Sequence, residues 1–540
     1  MQKKTKYLYF PAFTALFAVL AGLVFWGTWS PNITPVMPDA EIAYPADRVF
    51  RCLRYALESG RFHPYDIFNF LVDPYWWQEL RYAVSLYLAA LGMVYFCRGR
   101  SLGRLASYGA GLLLGFCGYW MTLYSAGHFG WFLWMAYGVF AFGLVDRSVR
   151  KGKLKNWLLL GATVSWAGFN QQDLWLLFSV FTAFYFVWCC IRERRFPWKG
   201  VLISMSVFVL IGMPNFKEVL SSTLQNRKKQ LASNENVTNK SASDKDRNWE
   251  FVTNWSMPPE DALEFFIPRV HGDTSCPYVL SIASRIGSGV KPYTGRLGRP
   301  MNAKYGNYRQ HSLYVGRITC LLALISLLAF WRRRESCAWR RDLAFFSVAA
   351  VVFFSLSLGR FFEPAYRIIF ALPFGNLIRC PVKWHHLTEF CLVFMAACGI
   401  ELLVQRARQL NWKVKGINLA LALIAILIVW GAVDLAVEDR RYCAPIDVSA
   451  ARRSGSSIQL AVLSKADFAN PQVSQMVRAG QVVSIANYLG SRDHYLVGIL
   501  SRINPHVCKD TPLMLAVLGL MSFLTTLGVA AYALKGSLRR

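Results

Sequence analysis

Apolar positions along this chain fall in long unbroken runs rather than in stripes. Runs of that kind predict helices that are apolar on every side, the pattern of membrane spans rather than of surface helices. They occupy residues 7–29, 80–97, 105–124, 131–145, 157–169, 174–191, 201–213, 313–331, 343–358, 387–403, 417–437 and 512–534. The reading is an all-α polytopic membrane protein with about twelve transmembrane helices, each near or somewhat below the ~20 residues a bilayer crossing needs. The first run follows Met-Gln-Lys-Lys-Thr-Lys and lacks a small-residue cleavage site, so it predicts a retained helix rather than a removable signal.

Three long connections separate the runs. In residues 30–79, Val49, Phe50, Leu53, Ala56 and Leu57 share a helical face opposite Arg48, Arg51, Arg54 and Glu58, which predicts an amphipathic helix lying on the membrane surface. Residues 216–312 hold a polar stretch at 225–247, then Trp255-Ser-Met-Pro-Pro-Glu260 and a segment rich in Gly, Tyr and Arg. Residues 438–511 read as a small α/β cap, with strands at 459–463 and 481–484 and a helix start at Asn470-Pro471. The chain therefore divides into a transmembrane core at 1–437, the cap at 438–511, and a last helix with a basic tail at 512–540.

Lys and Arg concentrate in the turns at 98–100, 147–155, 192–199, 332–341 and 406–415 and in the tail at 535–540. Positive residues beside a span resist translocation, so these turns are expected in the cytoplasm with both termini, and the three long connections outside the cytoplasmic membrane.

Composition agrees: 54% of residues are hydrophobic and 17% charged, an apolar surplus that has to face lipid. The formal net charge of +29 would suggest a nucleic-acid partner in a soluble protein, but the cytoplasmic anchors account for much of it and no nucleic-acid partner is expected. The outer connection 216–312 is also basic, with 14 Lys and Arg against 9 Asp and Glu, and phosphate-bearing lipids or sugars would suit it. Of 13 cysteines, Cys443 and Cys508 bracket the cap and are candidates for a disulfide, and no Cys-x-x-Cys spacing occurs.

No Walker loop, His-Glu-x-x-His, nucleophile elbow or dinucleotide fingerprint is present. The sharpest chemical signal is the acidic pair Asp39 and Glu41, placed between the first helix and the amphipathic segment. A carboxylate there can take a proton from an acceptor hydroxyl at the membrane surface, although a solvated loop acid is the simpler reading. His128, His385 and His386 fall at outer helix ends, where a histidine orients a phosphate or a sugar hydroxyl or merely caps the helix. The turn Asn170-Gln171-Gln172-Asp173 offers amides suited to sugar hydroxyls, and equally serves to end two helices. Within the spans few charges stand out, chiefly Asp434, which favours surface chemistry over transport.

The order Pro38-Asp39-Ala-Glu41-Ile-Ala-Tyr44-Pro45, followed by an amphipathic helix and Glu58-Ser-Gly-Arg-Phe-His-Pro64, resembles the first outer loop of YfhO-like bacterial membrane proteins, within the GT-C class of membrane glycosyltransferases. Gly127-His128, Trp255 through Pro268, and Leu372-Pro373 through Arg379-Cys-Pro-Val-Lys383-Trp extend the likeness over roughly three quarters of the chain. The sequence departs from the family pattern at Pro38, where glycine is common, and at Trp131, where a lysine often follows the Gly-His pair.

The resemblance implies a GT-C-like core. It also implies transfer of a sugar from a polyprenyl-phosphate donor to an envelope glycan, lipid or protein, with Asp39 as base and Glu41 as its neighbour or substitute. A lipid phosphate needs cations at the outer boundary, and Arg360, Arg367, Arg379 and Lys383 lie in the one short outer connection that breaks the positive-inside pattern. Arg379 comes first among them, with lipid-headgroup anchoring as the alternative. Tyr44, Gln172, His128 and His385 are the candidate substrate contacts. The lipid-linked sugar is the expected donor, a divalent cation is left open, and no nucleotide site is expected. The rival reading is a transporter, flippase or assembly protein for lipid-linked sugars.

Overall fold

The computed structural model describes residues 2–26, 33–35, 74–126, 129–168, 172–213, 249–272, 312–332, 339–372, 378–410, 412–414, 417–442, 445–447 and 513–538. Helices α1 (Gln2–Phe25), α2 (Pro74–Gly99), α3 (Arg104–Gly115), α4 (Tyr119–Ala126), α5 (Phe129–Lys151), α6 (Leu154–Ala167) and α7 (Gln172–Glu193) make the first half. The second holds α8 (Trp198–Met213), α9 (Arg317–Arg332), α10 (Arg340–Ser357), α11 (Glu363–Ala371), α12 (His385–Leu410), α13 (Leu419–Tyr442) and α14 (Leu513–Leu538). Short 3-10 helices at Pro259–Phe265, Gly359–Phe362 and Pro381–Trp384 link them. Two small antiparallel ladders complete the described structure: β1 (Ile33–Pro35) with β4 (Pro445–Asp447), and β2 (Lys413–Val414) with β3 (Ile417–Asn418). The strands predicted at 459–463 and 481–484 lie outside the described residues.

Among the described residues twelve spans are not found: six helices are by length and composition able to cross a membrane, α1, α2, α5, α7, α12 with its leading 3-10 turn, and α13. A seventh would be the pair α10 and 359–371, which bends by 111°. The apolar parts of α8, α9 and α14 are shorter. Apolar content alone overstates the number of spans because it is blind to breaks. The run at 105–124 is two short helices, α3 and α4, separated by residues 116–118. There the Gly118 N–H leaves the helical ladder and donates to the Tyr314 carbonyl at 2.8 Å.

Helix α12 runs through the middle, with 83% of its apolar stretch buried against 33% for α1 and α13. It packs on α3, α9, α10 and α13, while α2 and α5 form a second seam. The α9 contact is backbone-close: a Cβ at Gly399 would come within 2.1 Å of the Leu322 carbonyl. Small residues at such crossings let two helices approach further than a side chain allows.

One end of the body is fastened by four buried charges from four segments. Arg100, after α2, donates to Asp146 of α5 at 2.7 Å and also pairs with Asp342 of α10. Arg192 of α7 donates to Asp146 at 2.6 Å and to Asp342 at 2.5 Å, and Trp188 adds a hydrogen bond to Asp342 at 3.0 Å. None of the four ionic side chains is more than 5% exposed. At the same end Glu401 of α12 accepts the Gly103 N–H at 2.7 Å, satisfying a donor at the start of α3. Arg100 and Arg192, expected as membrane-surface anchors, are therefore internal fasteners. The reading of few charges within the spans overlooks Glu389 and Glu401, both buried and both inside the run 387–403.

Removing one member strands the others in an apolar interior, which costs far more than deleting a solvated pair. Asp342→Ala should lower stability by about 3–5 kcal/mol, whereas Glu363→Ala, which breaks the exposed pair with Arg367, should change it by less than about 1 kcal/mol. Thermal unfolding in detergent, compared across the two variants, reads the difference.

Candidate functional site

The polar residues at the other end come from helix starts and stops that the apolar interior holds close together. Residues 249–257 run along this end as a strap. The Val252 carbonyl accepts from Cys380 N–H at 3.0 Å, the Trp255 carbonyl from Val382 N–H at 3.1 Å, and the Met257 N–H donates to Ser357 O at 3.0 Å. Cys380 meets the strap in a left-handed conformation, φ 64° and ψ 83°, before Pro381 opens the 3-10 turn. A buried non-glycine residue held there is strained and needs surrounding contacts to keep it.

Three of the four cations expected to hold a phosphate gather on this strap. Arg360 donates its guanidinium hydrogens to the Thr253 and Glu250 carbonyls at 3.0 and 3.1 Å. Arg367 lies over the Trp249 ring at 4.7 Å and pairs with Glu363 at 2.5 Å. Arg379 lies over the Phe251 ring at 5.3 Å and is exposed. Lys383 is set apart from them: it is buried, with its ammonium 4.8 Å above the Trp131 ring.

Below the strap the two histidines are fully buried rather than capping a surface helix end. His385 Nε2 lies 3.7 Å from Glu389 Oε1, and His386 Nδ1 lies 3.5 Å from Glu389 Oε2. Spacings of three and four residues on α12 put all three side chains on one face. Rings enclose them: Tyr119 at 4.4 Å from His386, Phe265 at 4.5 Å from His385, and Trp120 and Trp131 each at 5.7 Å from His386. The end of α13 adds Glu438, paired with Arg269 at 2.8 Å, and buried Asp439. Nearby, Arg317 pairs with Asp434 at 2.6 Å, and Tyr314 donates its hydroxyl to the same carboxylate.

Asp39, Glu41, Tyr44 and His128 lie outside the described residues, as do Cys443 and Cys508; Gln172 is the first residue of α7. Glu389 and Asp439 were missed by the sequence reading, although Glu389 falls inside the run 387–403. An acid in such a run is costly unless something requires it, and that was the available signal. Among the described residues no group of three or more His, Cys, Asp or Glu side chains is arranged to hold a metal ion. The chemistry on offer is an arginine rim over a strap, exposed at Arg367 and Arg379 and half-buried at Arg360, above a buried cluster of imidazoles and a carboxyl.

The strain at Cys380 sets up a test. Cys380→Gly should keep the turn and the fold, while Cys380→Val should lose roughly 1–3 kcal/mol, because a β-branched residue resists a positive φ. Thermal stability of the two purified variants checks it.

Comparison of the chain with protein families, with curated proteins and with solved structures finds no match.

Proposed function

We propose that the chain is a membrane glycosyltransferase of the GT-C kind. It transfers a sugar from a polyprenyl-phosphate carrier to an envelope glycan, lipid or protein acceptor at the extracytoplasmic face of the cytoplasmic membrane. The observation that carries this reading is the arginine rim. Arg360, Arg367 and Arg379 meet one strap, at the end of the body opposite the basic turns. Cations at that depth suit a lipid phosphate whose tail stays in the bilayer. The first-loop resemblance supports the same reading.

In this mechanism Asp39, with Glu41 beside it, removes the acceptor proton as the acceptor oxygen attacks the sugar carbon. The carrier phosphate leaves by direct displacement. Arg379 is the first contact for the departing phosphate because its guanidinium is exposed and rests on an aromatic ring rather than in an ion pair with a described carboxylate. Arg360 has two backbone carbonyls as partners, so it shapes the strap as much as it offers charge. Lys383 lies deeper and would serve a headgroup drawn inward. Tyr44, His128 and Gln172 complete the sugar contacts, while His385, expected among them, is buried beneath the strap, and the outer connections frame the acceptor.

A second reading, movement of a lipid-linked sugar between leaflets, is favoured by one observation: Glu389 is fully buried within a span. Intramembrane acids often mark transport paths.

The deciding assay uses purified protein in liposomes with a radiolabelled polyprenyl-phosphate sugar and envelope acceptor material. Transfer should occur with wild type, vanish with Asp39→Asn, and fall roughly 100-fold with Arg379→Ala, as expected when one donor to a developing anion is removed. Relocation of the lipid by wild type without any transfer would replace the enzyme by the transporter.

A further inference from the structure

Helix α10 reaches from the ionic fastener, where Asp342 lies in its first turn, to the strap, where its Ser357 carbonyl accepts the Met257 N–H at 3.0 Å. Its 18 residues rise about 27 Å at ~1.5 Å each, close to the ~30 Å of a hydrocarbon core. Val348, Val351 and Val352 along it are exposed, as on a side turned to lipid. The chain then turns through 111°, and α11 leaves roughly crosswise to α10.

That turn is fixed rather than loose. Gly359 takes a left-handed φ of 51°, and a Cβ there would come within 2.1 Å of Ser256 Oγ and 2.6 Å of the Pro381 ring. The Arg360 N–H donates to Ser256 Oγ at 3.0 Å, and Tyr366 of α11 donates its hydroxyl to the Ile378 carbonyl at 2.9 Å.

Helix α11 has three faces rather than two. Tyr366, Ile369 and Phe370 turn toward the body, the last with its ring perpendicular to that of Trp249 and 5.3 Å from it. Glu363 and Arg367, one turn apart, pair along an exposed polar edge. Ile368 and Leu372, also one turn apart, are 65% and 52% exposed on a third side. In open water that third side would gain nothing, and inside hydrocarbon the polar edge would be costly. Only the boundary between the two accommodates both.

We infer that α11 is an interfacial helix that docks on the bilayer leaflet at the strap end, beside α10. Its occupant is lipid: Ile368 and Leu372 enter the boundary of the acyl chains, and Arg367 lies at the depth of the lipid phosphates. Trp249, under the Arg367 guanidinium, then sits where indoles favour a membrane. The charge fits a phosphate-bearing surface, since Arg367 and Arg379 are both exposed over rings of the strap. On this reading α10 crosses the membrane alone, and α11 holds the arginine rim level with the lipid headgroups. The inference needs the membrane but not sugar transfer.

The test uses the full-length protein in nanodiscs of phosphatidylglycerol and phosphatidylcholine. A nitroxide is attached at position 363, 368 or 372 through a genetically introduced ketone side chain, which avoids the native cysteines. Its collisions with oxygen and with a water-soluble nickel chelate are read by electron paramagnetic resonance. Positions 368 and 372 should meet oxygen several-fold more than the chelate, and position 363 the reverse. Equal chelate contact at 368 and 363 would overturn the inference by placing α11 in water, and oxygen preference at all three would do so by placing it in the hydrocarbon interior. Shielding of 368 from both reagents would also sink it, by putting protein where lipid is expected. Wild-type protein supplies a check free of labels: phosphatidylglycerol bearing a diazirine close to its glycerol should crosslink to residues 363–372, and absence of those adducts would count equally against docking.

Discussion

An ionised group inside an apolar body must be answered by its opposite, and the packing at the basic end follows from that requirement. Arg100, Asp146, Arg192 and Asp342 come from segments distant in sequence, and none of them tolerates this depth alone. Their mutual neutralisation fixes how the ends of α2, α5 and α7 meet the beginning of α10. Apolar side chains fill the space between those helices but are non-directional, so they would accept several rotations of each helix. The ion pairs, with two arginine forks facing two carboxylates, accept far fewer.

With that end set, the other can be built from irregular pieces. The break between α3 and α4, the 111° bend after α10, the left-handed Cys380 and the strap at 249–257 all lie away from the ionic fastener. Each carries backbone groups that a regular helix would have satisfied, and the strap satisfies several of them by donating to and accepting from its neighbours. One end is thus fixed by ion pairs and the other shaped by irregular backbone.

Much of the helical architecture was legible in the sequence because long apolar runs have few alternatives. Runs such as 387–403 and 417–437 became α12 and α13, which begin within two residues of the expected starts and run seven and five residues past the expected ends. What periodicity could not show was where a run breaks: Gly115 and Gly118 look unremarkable within 105–124, and the break depends on Tyr314, almost two hundred residues away. The arginines at 100 and 192 were visible as charges, but their partners were not, since Asp146 and Asp342 sit at the edges of apolar runs and read as ordinary turn acids. In the site, Arg360, Arg367 and Arg379 were legible from their clustering between two spans. Glu389 was not, because its enclosure with His385 and His386 by rings from other segments follows only from how α12 packs.

The fastener also has an order in time. As the chain is made from its N-terminus, Arg100, Asp146 and Arg192 are complete long before Asp342 exists, so the first half of the protein holds two positive side chains against one negative. The Gly118 N–H likewise waits for the Tyr314 carbonyl. A half-finished chain is therefore electrically and structurally incomplete at both ends, and its helices acquire their final arrangement only once residues 314–342 have left the ribosome.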